Sequence, residues 1–257
     1  MDAGDFRDLH ELERTFWWFV GMRDVQGALL AEHLPAGVDR SVLDAGCGTG
    51  ANLHWLEPHA GANGTVVGLD LDGDALAWCR SDGHARLVQA SATAIPCADA
   101  SFDLVTSFDV IVQIPDEAGG GDAALRELAR VLRPGGIGFV RAAAYPWMRS
   151  HHDVALHSVR RYTLSALVTA AERCGLEVVR RSYSTTLLFP LAVIQRKVLG
   201  RFTRRGDDPA SDVEALPRPL AWLNAPFTWL LRVEAAIIRR GGRLPFGLST
   251  NIVVRRR

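Results

Sequence analysis

Residues Val42–Gly50 read VLDAGCGTG, and Asp70 ends a second apolar run, GLD, twenty residues past Gly50. Ser41–Ala45 is short and apolar enough for a buried parallel strand. Gly46, Gly48 and Gly50 then remove three side chains within five residues, so the backbone can turn tightly and a ligand can approach it closely. Asn52–Glu57 can continue as a helix whose first N–H groups face that ligand. A strand, a glycine turn, a helix and a second strand ending in an acid constrain the chain to a β-α-β unit that holds a nucleoside-containing cofactor.

Two cofactor classes fit such a turn. Gly46, Gly48 and Ala51 satisfy the G-x-G-x-x-G/A pattern of nicotinamide dinucleotides, so the glycines alone leave the choice open. Asp44 weighs against that class. A carboxylate two residues before Gly46 repels a pyrophosphate but suits the ammonium of a methionine moiety. Asp70 suits a ribose diol in either class. The balance favours S-adenosylmethionine.

VLDAGCGTG resembles motif I of the class I S-adenosylmethionine-dependent methyltransferases, and GLDLD their second-strand motif. IPCADASFDLVTSFDVI (95–111), LARVLRPGGIGFVRAA (128–143) and YTLSALVTAAERCGLEVV (162–179) follow in the family's order, so the resemblance covers roughly residues 40–183 and the last ten. It implies a Rossmann-like α/β fold: a seven-stranded, mostly parallel sheet with helices on both faces and an antiparallel last strand. It also implies that Asp44, Gly46, Cys47, Gly48, Gly50, Asp70 and Leu71 line the cofactor site. Family members commonly carry Asp where this chain has Ser91, so the adenine contact falls to Ser91 or the backbone of Ala92. Phe108 is placed under the methionine part, and Asp109 is either a substrate contact or a cap.

The pattern of apolar runs places strands near 41–45, 65–70, 85–90, 102–108, 135–142, 177–183 and 249–254. Helices fall at about 50–58, 73–82, 120–133 and 164–174, the last capped by Thr163 and ended by Gly175. Residues 5–34 read as helical and carry the aromatic block Phe16–Phe19. This gives four parts: an N-terminal helical lid (1–39), a cofactor-binding core (40–184), a helical insertion (185–247) and the final core strand (248–257). In the insertion, RFTRRGDDPASD (201–212) reads as a mobile loop between helices.

Strands alternating with helices imply ligand binding beyond the C-terminal strand ends. The loop after strand five, 145–162, therefore faces the acceptor. If 153–161 is helical, Asp153 and His157 share a face, with Asp153 orienting His157 as general base. His152 is a further catalytic candidate. Arg160 and Arg161 would hold an anionic or carbonyl-bearing substrate, with Tyr162 beside them. The competing reading is a salt-bridge cluster that closes the loop. His-Asp-x-x-x-His-x-x-Arg-Arg-Tyr (152–162) and the N-terminal aromatic block, followed by Arg23, resemble a bacterial branch of the family associated with secondary-metabolite or surface-glycan genes. On that resemblance Arg23 reaches the cofactor carboxylate or the substrate, and Trp17 the substrate.

Net charge is zero, but from Thr185 onward there are 13 Arg and Lys against 5 Asp and Glu. That basic third admits an anionic substrate, a peripheral membrane contact through 185–247, a homodimer contact or a merely solvated face. Four scattered cysteines without a C-x-x-C pair argue for reduced thiols and a cytoplasmic location, and no metal site is expected. No uncharged apolar run of membrane-spanning length occurs. No nucleic-acid motif is present. The expected function is methyl transfer to a small molecule (natural product, glycan or lipid-like), with oxygen favoured over carbon or nitrogen. A nicotinamide-dependent oxidoreductase and a non-catalytic cofactor-binding partner remain the alternatives.

Overall fold

The structure, a computed structural model, describes residues 10–150, 153–154, 157–197 and 218–257. Seven strands form one sheet: β1 (Ser41–Ala45), β2 (Thr65–Asp70), β3 (Leu87–Gln89), β4 (Phe102–Phe108), β5 (Leu132–Ala143), β6 (Leu176–Ser184) and β7 (Ser249–Arg256). Their order is β3-β2-β1-β4-β5-β7-β6, and β7 runs antiparallel to both β5 and β6. The chain winds outward from β1 to β3, then crosses back to β4. The order therefore reverses between β1 and β4, where such sheets open a crevice for ligands.

The expected strands are present with shifted ends. β5 begins at Leu132 rather than 135 because Leu132 pairs with Phe102 ahead of an irregularity at Phe102/Leu104. Strand β3 is shorter than the apolar run suggested. Leu43, Leu104, Val105, Phe139, Val140, Ile252 and Val253 are fully buried in the centre of the sheet. Side chains of this kind each contribute roughly 1.5–3 kcal/mol on burial.

Helices α1 (Trp17–Leu30), α2 (Ala51–Ala60), α3 (Gly73–Ser81), α4 (Gly120–Val131), α5 (Leu164–Arg173), α6 (Phe189–Lys197) and α7 (Asn224–Arg239) cover the sheet and its ends. In α4, Ala124, Leu125, Leu128 and Val131 recur at helical spacing and are buried. Thr163 Oγ1 accepts the Ala166 N–H at 3.2 Å to start α5, and Gly175, at φ 83°, follows its end. Both assignments agree with the sequence.

The single helix expected over 5–34 is interrupted within the described residues. Residues 10–15 are helical, Phe16 is extended (φ −75°, ψ 133°), and α1 starts at Trp17. The break sets the segment before it across the glycine turn. Behind the break, α1 packs against α7 of the insertion. The Trp17 N–H donates to Asn224 Oδ1 at 3.1 Å, the Trp17 and Phe227 rings lie 5.2 Å apart, and Arg232 pairs with Asp24 at 3.0 Å. At Gly21 a Cβ would come within 2.5 Å of the Leu231 side chain, so only glycine allows this approach. The insertion is pinned in turn by Glu234, fully buried, which accepts N–H groups from Thr185 (2.7 Å) and Leu187 (2.8 Å). The loop expected over 201–212 lies outside the described residues.

Candidate cofactor cleft and acceptor loop

The cleft is built on the tip of β1. Asp44 is fully buried and stands opposite Thr106 of β4, whose hydroxyl donates to Asp44 Oδ1 at 2.7 Å. Burial pushes the Asp44 carboxyl up to about 7. Its other oxygen, Oδ2, is buried without a hydrogen-bond partner among the described residues. A buried carboxylate oxygen left open in this way calls for a cationic donor.

The glycine turn follows. Gly46 and Cys47 N–H both donate to Leu69 O, at 2.7 and 2.9 Å, which folds the turn over β2. Gly46 has φ 91°, and a Cβ there would lie 2.1 Å from Val110 Cγ2. Asp70 holds the same turn. Its Oδ2 accepts the Gly48 N–H at 2.8 Å and its Oδ1 the Asp72 N–H at 3.0 Å. Cys47 is buried beside Cys79. The Cys79 hydrogen bond and burial push the Cys47 thiol up, so it offers the cleft backbone rather than a nucleophile. Gly50, at φ 95°, precedes α2.

Leu71 stands exposed just past Asp70, and Ala92 is buried after β3. Ser91 Oγ lies 2.8 Å from Thr93 Oγ1 and accepts the Thr93 N–H at 3.2 Å, so the hydroxyl closes its own turn.

Arg141 completes the wall. It is 5 % exposed, and its Nε donates to Asp109 at 2.7 Å. Its guanidinium lies 4.7 Å from the Trp18 ring and 5.2 Å from the Phe108 ring. Asp109, at φ 60°, returns its N–H to Arg141 O. Asp109 therefore positions Arg141. Within the aromatic block, Trp17 turns to α7 and Trp18 meets Arg141. The Trp17 ring packs on Phe227 of α7.

Two residues of this wall escaped the sequence reading. Arg141 had a signal, being a charge inside the apolar run of β5. Glu13 had none that separates it from Glu11. Glu13 is half-buried over the glycine turn, where the Thr49 hydroxyl donates to its Oε2. Desolvation pushes its carboxyl up to about 7, against the opposing influence of Thr49, Arg23 and Arg141. Arg23 reaches across to donate to Glu13 O at 2.8 Å, and burial lowers its pKa. Glu13 thus ties the lid segment to the turn, and Arg23 ties the two halves of the lid to each other.

The acceptor loop differs from its expectation. Residues 157–161 are not helical, and His157 is exposed in a turn at φ 53°. Asp153 and His157 therefore do not share a helical face. Asp153 is 2 % exposed and gives its oxygens to Arg161, with Nε at 2.6 Å and Nη2 at 3.1 Å, and to the Ser150 N–H at 2.8 Å. No hydrogen bond joins it to His157 among the described residues. Arg161 also donates to Ala144 O at 2.9 Å. Ala144 bridges Tyr162, and Tyr162 N–H donates to Ala143 O at 2.9 Å, so the two ends of the loop are zipped together. Arg160 points the other way and pairs with Asp116. In extended backbone, successive side chains face opposite sides, which separates the two arginines expected to act together. Arg161 is taken up inside the loop, whereas Arg160 lies beside Tyr162, and these two line an open pocket with Asp122 and Arg173. His152 lies outside the described residues.

Comparison with known proteins agrees with the architecture. Residues 43–140 match the family described as "Methyltransferase domain". This part of the chain resembles a methyltransferase core, with the match running from β1 into β5. Its cofactor is S-adenosylmethionine, and the open Asp44 oxygen beside a side-chain-free turn fits the ammonium and backbone contacts that this group requires. Methyltransferase GfsG of Streptomyces halstedii is 38% identical over 114 residues, 42% of this chain and 39% of that protein. A malonyl-[acyl-carrier protein] O-methyltransferase of Pseudescherichia vulneris is 36% identical over 176 residues, 64% of this chain and 65% of that protein. The chain thus covers less than two thirds of the length of either relative. Among solved structures, an S-adenosylmethionine-dependent methyltransferase of Mesorhizobium loti has the same fold at 18% identity (TM-score 0.56, 88% of this chain and 95% of that one).

Proposed function

We propose that this protein transfers a methyl group from S-adenosylmethionine to a small-molecule acceptor, with an oxygen nucleophile favoured. The open carboxylate oxygen of Asp44 beneath the glycine turn carries this reading. It asks for an ammonium where a dinucleotide would bring a pyrophosphate. Bound S-adenosylmethionine supplies an electrophilic methyl group on a positive sulfur that leaves readily. Asp44 would hold the amino group, Asp70 the ribose diol, and Leu71 and Ala92 the adenine faces. Arg23, with Arg141 nearby, offers positive charge to the carboxylate end. Glu13, Trp18 and α1 would shut water out of the cleft while the acceptor aligns.

The relatives' names support a small acceptor, since one of them methylates the oxygen of a malonyl group held on a carrier protein. The loop at 145–162 shapes the acceptor side through its zipped ends. His157 is a histidine among the described residues of the loop that could take a proton, without a hydrogen bond from Asp153 to orient it. Titration with S-adenosylhomocysteine and with NADH tests the core of the proposal. Saturable binding of the first alone is expected; binding of NADH, or unchanged S-adenosylhomocysteine affinity in Asp44→Asn, would overturn it.

A further inference from the structure

A second set of ligand-type side chains lies on the outer side of α2. His54 and Glu57 are three residues apart on that helix and so share a face, and His84 follows α3 thirty residues after His54. His54 Nδ1 is 3.5 Å and His84 Nδ1 3.9 Å from the same oxygen, Glu57 Oε1. The two imidazole rings are 4.2 Å apart between centroids. One donor atom from each of the three residues lies within 4.8 Å of the others.

The chemistry of this set is specific. Two imidazoles and one carboxylate suit zinc and its neighbours better than calcium or magnesium, which prefer all-oxygen shells. Zinc–nitrogen bonds of about 2.0–2.1 Å place neighbouring tetrahedral ligands about 3.3 Å apart. The Glu57 oxygen is already near that spacing from both nitrogens. The His84 side chain is 10% exposed and rests against Gly50 and Cys79, so it is the fixed ligand. The His54 and Glu57 side chains, 43% and 56% exposed, are free to close the remaining gap. Their exposure leaves further positions for water.

We propose that His54, Glu57 and His84 bind one divalent transition-metal ion of the zinc class, clasping α2 to the turn between α3 and β3. The site lies outside the cofactor cleft and does not rest on the methyltransferase reading. Sequence spacing could not find it, because His84 joins the pair through the fold and through no motif.

The test is calorimetric titration of the untagged, EDTA-treated full chain with zinc chloride, with melting temperature as a second readout. One equivalent should bind, zinc should raise the melting temperature, and His54→Ala and Glu57→Gln should each weaken binding by about tenfold or more. Both variants should keep wild-type affinity for S-adenosylhomocysteine, which shows that they are folded. Absence of saturable binding would overturn the proposal. So would a His54→Ala/Glu57→Gln double variant that binds zinc as the wild type does, since the ion would then sit elsewhere.

Discussion

The two halves of the cleft are made from different kinds of information. On the cofactor side, Asp44, Gly46, Gly48 and Asp70 lie within 27 residues, and each is in β1 or β2 or is bonded directly to a residue of β2. On the acceptor side, the loop at 145–162 is shaped by Asp153 with Arg161 and Arg160 with Asp116. A glycine turn has one workable shape, set by sterics. An arginine-rich loop has many, and the pairing chosen depends on where acids on other elements happen to fall.

The contrast can be broken first at Gly46. With φ 91° and Val110 Cγ2 in the way, Gly46→Val should abolish measurable S-adenosylhomocysteine binding in calorimetry. Retained affinity would mean that the turn is not the cradle. On the acceptor side, Asp153→Asn leaves Arg161 buried without its counter-charge. A loss of about 3–5 kcal/mol is expected in denaturant unfolding, as for removal of one partner of a buried pair. If Asp153 instead orients a base, turnover would fall while stability held.

The lid joins the two halves. Glu13→Ala should speed S-adenosylhomocysteine dissociation, by roughly ten- to hundredfold if the Thr49 bond to the carboxylate contributes the 1.5–3 kcal/mol usual for a charged hydrogen bond. Its pH dependence has a definite sign. The docked pKa, about 7, exceeds the undocked value of 4.5, so docking favours the protonated acid. Lid closure should be tightest below 4.5, weaken as pH rises through 7, then level off. Stopped-flow dissociation across that range, flattened in Glu13→Gln, checks this.

The smallest effect expected is at His157. A general base contributes about 10²–10⁴ to rate. An exposed, unoriented imidazole should cost less than about tenfold on replacement by Ala. A hundredfold fall in turnover with cofactor bound would restore it as the base.

Much of the sheet was legible because buried strands must be apolar and the intervening glycines must turn. The cofactor acids were legible because they sit at strand tips, a position that topology fixes. Helix 153–161 was misread because spacing of four was taken as a shared face, whereas Arg161 reaches Asp153 from eight residues away across a turn. Arg160 and Arg161 read as a pair but diverge once the backbone is extended. Glu13 could not be chosen over Glu11 without knowing that Phe16 breaks the helix. The insertion's role as a partner of α1 needed the contact between residues more than two hundred apart.

That contact has a consequence for inheritance. Leu231 fills the notch that Gly21 leaves open, so neither helix can change its facing surface alone. Any enlargement at position 21 demands a smaller residue at 231, and the reverse. The facing surfaces of α1 and α7 are therefore expected to vary together, although a core lies between them in the chain. Exchanging the insertion between related chains should succeed only when the N-terminal segment travels with it.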